Sequence, residues 1–158
     1  MPLETEEVAA AREAALRLLE RTRRTRSDLA RRLRDKGHAE PVIAETLDRL
    51  AGVGLVDDIE YARAFLAGRW GRRPAGWRRL EQQLRVKGVA NDDIAAARGR
   101  IEEREGPADE VAGARKVIAA AERRYAALDA RARRQRLWSL LTRRGFDGDT
   151  IEQALKPE

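Results

Sequence analysis

Three glycines, Gly37, Gly88 and Gly145, close the same phrase, and this recurrence restricts the chain to a repeated helical unit. Each is preceded by a basic residue at minus one (Lys36, Lys87, Arg144), a leucine at minus four (Leu33, Leu84, Leu141) and another at minus eight (Leu29, Leu80, Leu137). An isoleucine follows at plus six every time: Ile43, Ile94 and Ile151. Two leucines four apart share one helix face, and a glycine past the last turn supplies the left-handed backbone that ends a helix without a Cβ clash. The glycines are separated by 51 and 57 residues, slightly beyond the usual repeat periods of about 20 to 50. That spacing leaves room for three short helices per unit.

The predicted fold class is therefore all-α, with three tandem three-helix, helix-turn-helix-like repeats over residues 1–54, 55–105 and 106–158. In the first repeat a helix runs around Val8 to Arg21, with Ala11, Ala15, Leu18 and Leu19 at helical spacing. Ser27 is the expected N-cap of the second helix. Pro41 introduces the third, whose expected buried face is Val42, Ile43, Thr46, Leu47 and Leu50. In the second repeat Asp57 or Asp58 caps a helix carrying Tyr61, Ala62, Phe65 and Leu66. The stretch GRRPAG breaks the chain, a helix spans Trp77 to Lys87, and Asn91 or Asp92 caps a third helix with a weaker apolar face. EEREGPADE links to the last repeat. There a helix runs from about Asp109 to Tyr125, Asp129 caps a longer one through Leu137, Trp138, Leu140 and Leu141, and Asp149 begins the last, beside the unusual Gly148. No stretch alternates as a strand would.

Arginine dominates the cations, with 29 arginines against 4 lysines, and the formal net charge is +6. The charge alternates with the repeat. The segments Arg21 to Lys36, Arg69 to Gly88 and Arg115 to Arg144 carry +6, +6 and +8, and every flanking segment is acidic. Basicity points to an anionic partner, nucleic acid or an acidic protein surface. The absence of cysteine rules out disulfides and thiolate chemistry. No signal peptide or 18-residue apolar window is present, so a soluble cytoplasmic protein with no membrane partner is expected.

Three cationic stripes suit contacts to a phosphate backbone. Equally, each basic helix can pair with the acidic third helix of its own repeat. The lead-ins TRRTR, RWGRRPAGWRR and RARRQR hold more cation than neighbouring acids neutralise, which favours an anionic partner. Trp70, Trp77 and Trp138 suit either stacking on bases or a place in the core; Trp77, among four arginines, is the best placed to stack. His38 is the only histidine, so a zinc site would rest on carboxylates. Asp57 and Asp58 fit a magnesium pair or a helix cap, and capping accounts for them. No nucleophile, base and orienting group can be placed together, so no catalytic residue, cofactor, metal or enzyme activity is expected.

The segments RTRRTRSDLARRLRDKG, GLVDDIEYARAFL, GWRRLEQQLRVKGV and RRQRLWSLLTRRGFDGDTIEQAL, in that order, resemble the RecX family of recombination regulators over about Ala14 to Leu155. The resemblance implies an elongated, curved arrangement of the repeats. It further implies a protein that binds the RecA recombinase filament on DNA and restrains its ATPase, strand-exchange and co-protease activities. The family has no compact binding motif, so candidate partner-binding residues follow from charge: Arg23, Arg24 and Arg26; Arg72, Arg73, Trp77, Arg78 and Arg79; Arg133, Arg134, Arg136, Arg143 and Arg144. Expected partners are the RecA filament and single- or double-stranded DNA within it, with the chain a monomer. Two other readings remain open: a general, non-sequence-specific DNA binder, and a scaffold for another acidic protein.

Overall fold

The computed structural model describes residues 4–70 and 75–157, the side chain of Trp70 excepted. Arg72 and Arg73 lie outside the described residues. Among those described there are nine helices and no strand: α1 (Glu6–Arg21), α2 (Arg26–Asp35), α3 (Glu40–Gly52), α4 (Asp58–Trp70), α5 (Trp77–Val86), α6 (Asn91–Glu105), α7 (Glu110–Tyr125), α8 (Ala130–Arg143) and α9 (Gly148–Leu155). Internal packing divides the chain into two compact units, Met1–Arg63 with Leu84–Ala97, and Ala64–Gln83 with Arg98–Glu158.

In the first unit, Ala15 of α1 joins Leu29 and Leu33 of α2, Ile43, Leu47 and Leu50 of α3, and Val56 in one buried cluster. In the second, Ala114 and Val117 of α7, Leu141 of α8, Phe146, and Ile151 and Ala154 of α9 form another, beside Ala121, Tyr125 and Leu137. The leucines at minus four and minus eight of each glycine are all buried, as are the isoleucines at plus six. The third helix of the second repeat keeps its weak face inside after all: Ile94 and Ala97 are buried.

Several helix starts differ from the expected ones. Thr25, not Ser27, caps α2, its Oγ1 accepting the Asp28 N–H at 3.1 Å. Asp147 rather than Asp149 caps α9, which puts Gly148 in the first turn. In both cases the cap lies earlier because the next residues already hold helical backbone. α6 begins at Asn91 itself, whose Oδ1 accepts Arg85 Nε at 2.8 Å. Asp57 receives the Glu60 N–H, while Asp58 reaches across to Arg26. Trp138 is 37% exposed and so is no core anchor.

All three middle helices end alike. Gly37, Gly88 and Gly145 have φ of +93°, +86° and +90°. Their N–H groups donate to the carbonyls of Arg34, Arg85 and Thr142, and the next residues, His38, Val89 and Phe146, donate to Leu33, Leu84 and Leu141. This paired closure satisfies two end carbonyls of each helix and folds the following residue back over the minus-four leucine. The glycines differ in their surroundings. A Cβ on Gly37 would meet nothing within 4 Å, one on Gly88 would lie 2.4 Å from Ser27 Cβ, and one on Gly145 2.3 Å from Arg79 Cβ.

Substitution should separate the two demands. Gly37→Ala is expected to cost about 1 kcal/mol in urea unfolding, the strain of a left-handed L-residue. Gly88→Ala and Gly145→Ala should cost about 3 kcal/mol, since overpacking adds to that strain. Equal losses at the three positions would refute the close approach.

Candidate nucleic-acid interface

The close approaches at Gly88 and Gly145 belong to one recurring joint. Each glycine turn leaves the carbonyl at minus one facing outward, and a helix start in the preceding three-helix segment takes it. The Thr25 hydroxyl donates to the Lys87 carbonyl at 2.8 Å, and the Gly76 N–H donates to the Arg144 carbonyl at 2.8 Å. Thr25 and Gly76 each stand twelve residues before their own segment's glycine, so the register of the joint repeats. Thr25 is 2% exposed, and its hydroxyl donates to this carbonyl while accepting the α2 cap bond.

The first joint builds a cleft of about 510 Å³. Its walls are the α2 lead-in and first turns (Thr22, Arg23, Arg24, Thr25, Ser27, Asp28, Arg31, Arg32), Tyr61 of α4, Val86 at the end of α5 and Lys87 in the turn after it. Five cations thus face one space with a single carboxylate. Asp28 Oδ2 accepts Arg24 Nη1 and Arg32 Nε, both at 3.0 Å, and Oδ1 accepts Arg31 Nη2 at 2.6 Å. Burial pushes the Asp28 carboxyl up, but those three hydrogen bonds outweigh it and hold it below the usual carboxylate range. Asp28 therefore stays ionised and fans three guanidinium groups around itself. The exposed Thr22 and Ser27 hydroxyls, the Tyr61 ring and the exposed Val86 complete a surface suited to a phosphodiester and its sugar or base.

The structure distributes the candidate residues unevenly. Arg23, 66% exposed and 3.6 Å from Glu60, lines the cleft. Arg24 lines it too, but also ties α1 to α2 by donating Nε to the Leu18 carbonyl at 3.2 Å. Arg26 turns away: its N–H goes to Asp58 Oδ1 at 2.9 Å and its Nη2 to Asp48 of α3 at 2.6 Å. The Asp58 carboxyl is raised, by burial first, against the Arg26 N–H, with Asp93 and Asp57 adding to the rise. Arg26–Asp48 and Arg34–Glu40 are ties between a basic middle helix and its acidic third helix, so part of the charge is neutralised within the first segment.

In the second unit, Arg79 Nη1 donates to the Arg143 carbonyl at 3.2 Å. Asp147 is held below the usual range by the Thr150 N–H, assisted by the charge of Arg78. Arg144 lines a hollow of about 290 Å³ with Lys116 and Arg124, and no carboxylate shares that lining. Arg133 pairs with Glu122 at 3.5 Å, Arg134 lies 6.0 Å from the Trp138 ring centroid, and Arg136 is exposed. Trp77 lies under Arg98, whose guanidinium is 4.5 Å from the ring centroid.

Sequence reading passed over Arg31, Arg32 and Lys87 in the first hollow and Lys116 and Arg124 in the second. Arg31 and Arg32 were findable, since both follow Asp28 at helical pair spacing. Lys87 enters the cleft only through the joint, which no local pattern signals. Among the described residues no three His, Cys, Asp or Glu side chains are grouped to hold a metal, and no helix is long and apolar enough to cross a membrane.

Because Thr25 serves the cap and the joint at once, Thr25→Val should lower stability in urea unfolding by about 2 kcal/mol, through a lost cap and an unmet carbonyl. Thr25→Ser should retain most of it. A Val variant as stable as the parent would mean the Thr25 hydroxyl carries neither role.

Comparison with known proteins agrees with this architecture segment by segment. Residues 11–50, 57–97 and 108–155 match, in order, the first, second and third three-helix domains of RecX. Regulatory protein RecX of Mycobacterium tuberculosis (strain ATCC 25618 / H37Rv) is 37% identical over 155 residues, covering 95% of this chain and 86% of that protein. The Thermobifida fusca protein of the same name is 36% identical over 153 residues, covering 95% and 79%. The crystal structure of RecX from Lactobacillus salivarius superposes with a TM-score of 0.83 at 21% identity over 95% of both chains. A second, of regulatory protein RecX, gives 0.82 at 27% identity over 94% of this chain and 73% of that one. With all three domains matched in order, this chain belongs to the RecX family of regulatory proteins.

Proposed function

We propose that this chain binds the RecA nucleoprotein filament and modulates, mainly by inhibition, its ATPase, strand-exchange and co-protease activities in recombinational repair and the SOS response. Family membership supports the regulatory role. The observation that carries the nucleic-acid contact is the cleft beside Thr25, whose lining holds Arg23, Arg24, Arg31, Arg32 and Lys87 with one carboxylate, Asp28. Charge of that density binds phosphate without reading bases, which suits DNA already covered by a recombinase. The remaining arginine candidates apart from Arg26, which Asp48 holds, extend the same type of contact on this reading, Arg72 and Arg73 among them, in three domains over residues 1–54, 55–105 and 106–158. The chain would act in the cytoplasm as a monomer without cofactor or catalysis. Its binding free energy would bias the filament between growth and disassembly.

The same cleft serves a general DNA binder, so the test must include bare DNA. Affinities for single-stranded DNA, duplex DNA and RecA filaments are measured at two salt concentrations, alongside inhibition of RecA-driven strand exchange. Filament-selective binding is expected. The triple reversal Arg23→Glu, Arg31→Glu and Lys87→Glu should weaken it more than tenfold and reduce the log–log salt slope by about two, at ~0.7 to 0.9 per phosphate contact. Unaltered helicity by circular dichroism is the control. Equal affinity for bare DNA, falling steeply with salt, supports the general binder instead; undiminished inhibition by the reversed chain removes the cleft from the mechanism.

A further inference from the structure

A hollow of about 280 Å³ in the second unit has charge opposite to the cationic ones. Leu66, Trp77, Ile101 and Pro107 supply its apolar lining, and Glu102, Glu105 and Asp109 bring three carboxylates against the single guanidinium of Arg98. Leu66 is fully buried and Trp77 half-buried, whereas Glu105 and Asp109 are exposed. The apolar part is thus recessed and the acids stand toward solvent. Trp77 is anchored by its backbone N–H, which donates to Glu110 Oε1 at the start of α7. Asp109 is anchored as the α7 cap, accepting the Ala112 N–H at 2.9 Å.

The occupant that matches this lining is a cation on an apolar stem. Phosphate would face an excess of carboxylate. A small neutral side chain would leave the acids unused. An arginine or lysine can lay its methylenes on Trp77, Ile101 and Pro107, with Leu66 as the floor behind them, and carry its charge to the rim. Arg98 displays the chemistry within the chain itself: its guanidinium lies 4.5 Å from the Trp77 ring centroid while its Nε donates to Glu102 Oε1 at 2.7 Å. Two further carboxylates, Glu105 and Asp109, face the same space.

We propose that this hollow is a docking socket for an arginine or lysine side chain exposed on a protein partner. The assignment is independent of the filament reading, since it concerns a different site and the opposite ligand charge. The test uses the isotope-labelled full chain and follows the Trp77 indole N–H resonance by NMR, assigned by its loss in Trp77→Phe. N-acetyl-arginine methylamide is the probe, N-acetyl-glutamine methylamide the neutral control and oligothymidylate the anionic one. A saturable shift with the arginine probe, little with the glutamine one, is expected, with the Trp138 resonance unmoved. Glu102→Gln with Glu105→Gln should weaken that binding roughly three- to tenfold, as two partly exposed ion pairs would. Glu105→Gln alone, at an exposed side chain, should weaken it in the same direction if the double variant folds poorly. No saturable shift, an equal response to the glutamine probe, undiminished affinity in both variants, or a stronger response to oligothymidylate overturns the proposal.

Discussion

The positive φ at the end of each middle helix is the constraint on which the rest of the structure depends. It turns the chain back over the minus-four leucine and spends two of the four orphan carbonyls of the helix end within the turn. A third carbonyl, at minus one, is left facing outward. At Lys87 and Arg144 it accepts from the helix start of the preceding segment, and the missing Cβ of the adjacent glycine is what lets the two backbones approach. One residue type therefore closes a helix and admits a neighbour.

Three segments form two such joints, and the start of the third segment's middle helix is built differently. α2 and α5 each begin eleven residues before their glycine, whereas α8 begins fifteen before Gly145. The position equivalent to Thr25 and Gly76 is then Arg133, one turn inside α8, where its N–H is bonded to the Asp129 carbonyl at 2.9 Å. That N–H is spent inside the helix, whereas the Gly76 N–H goes to the Arg144 carbonyl. At the other end of the register, the turn at Gly37 has open space where Gly88 and Gly145 have neighbours.

Most of the described helices follow the macrodipole, with acids in the first turn, but the starts of α5 and α8 run against it, offset only by Glu110 on the Trp77 N–H and by the Asp129 cap. Neither α5 nor α8 has an acidic residue in its first turn, and Arg78, Arg79, Arg131 and Arg133 lie there instead. Cations at a helix N-terminus are disfavoured, while an anion there gains from both the dipole and the side chains. In α2 the single Asp28 relieves the conflict by gathering three arginines. The acid-rimmed hollow over Trp77 shows that the chain does not present one sign everywhere. Counting residues along the sequence revealed the alternation, but not that arginines at a lead-in can sit in a cleft, turn to an acidic helix or, like Arg79, hold a carbonyl.

The leucine, glycine and isoleucine register was legible because burial on a helix face and a left-handed stop depend on residues within one or two turns. For the same reason nearly every helix and its buried stripe could be read directly. Cap positions were read a few residues late at Ser27 and Asp149, since Thr, Ser and Asp cap almost equally well and only the backbone path selects among them. The cleft was half legible. Arg23 and Arg24 stand out in TRRTR, but Lys87 reaches them only because Thr25, sixty-two residues earlier, binds its carbonyl. Trp77 looked like a member of an arginine-rich loop, and folding gave it Arg98 above the ring and carboxylates around it. By itself, then, the sequence determined the helices, their ends and the three-fold repeat, all set by short-range sterics and periodicity. Which charges meet across distant turns was decided only in the tertiary structure, because a backbone hydrogen bond and a missing Cβ carry no side-chain signature of their partner.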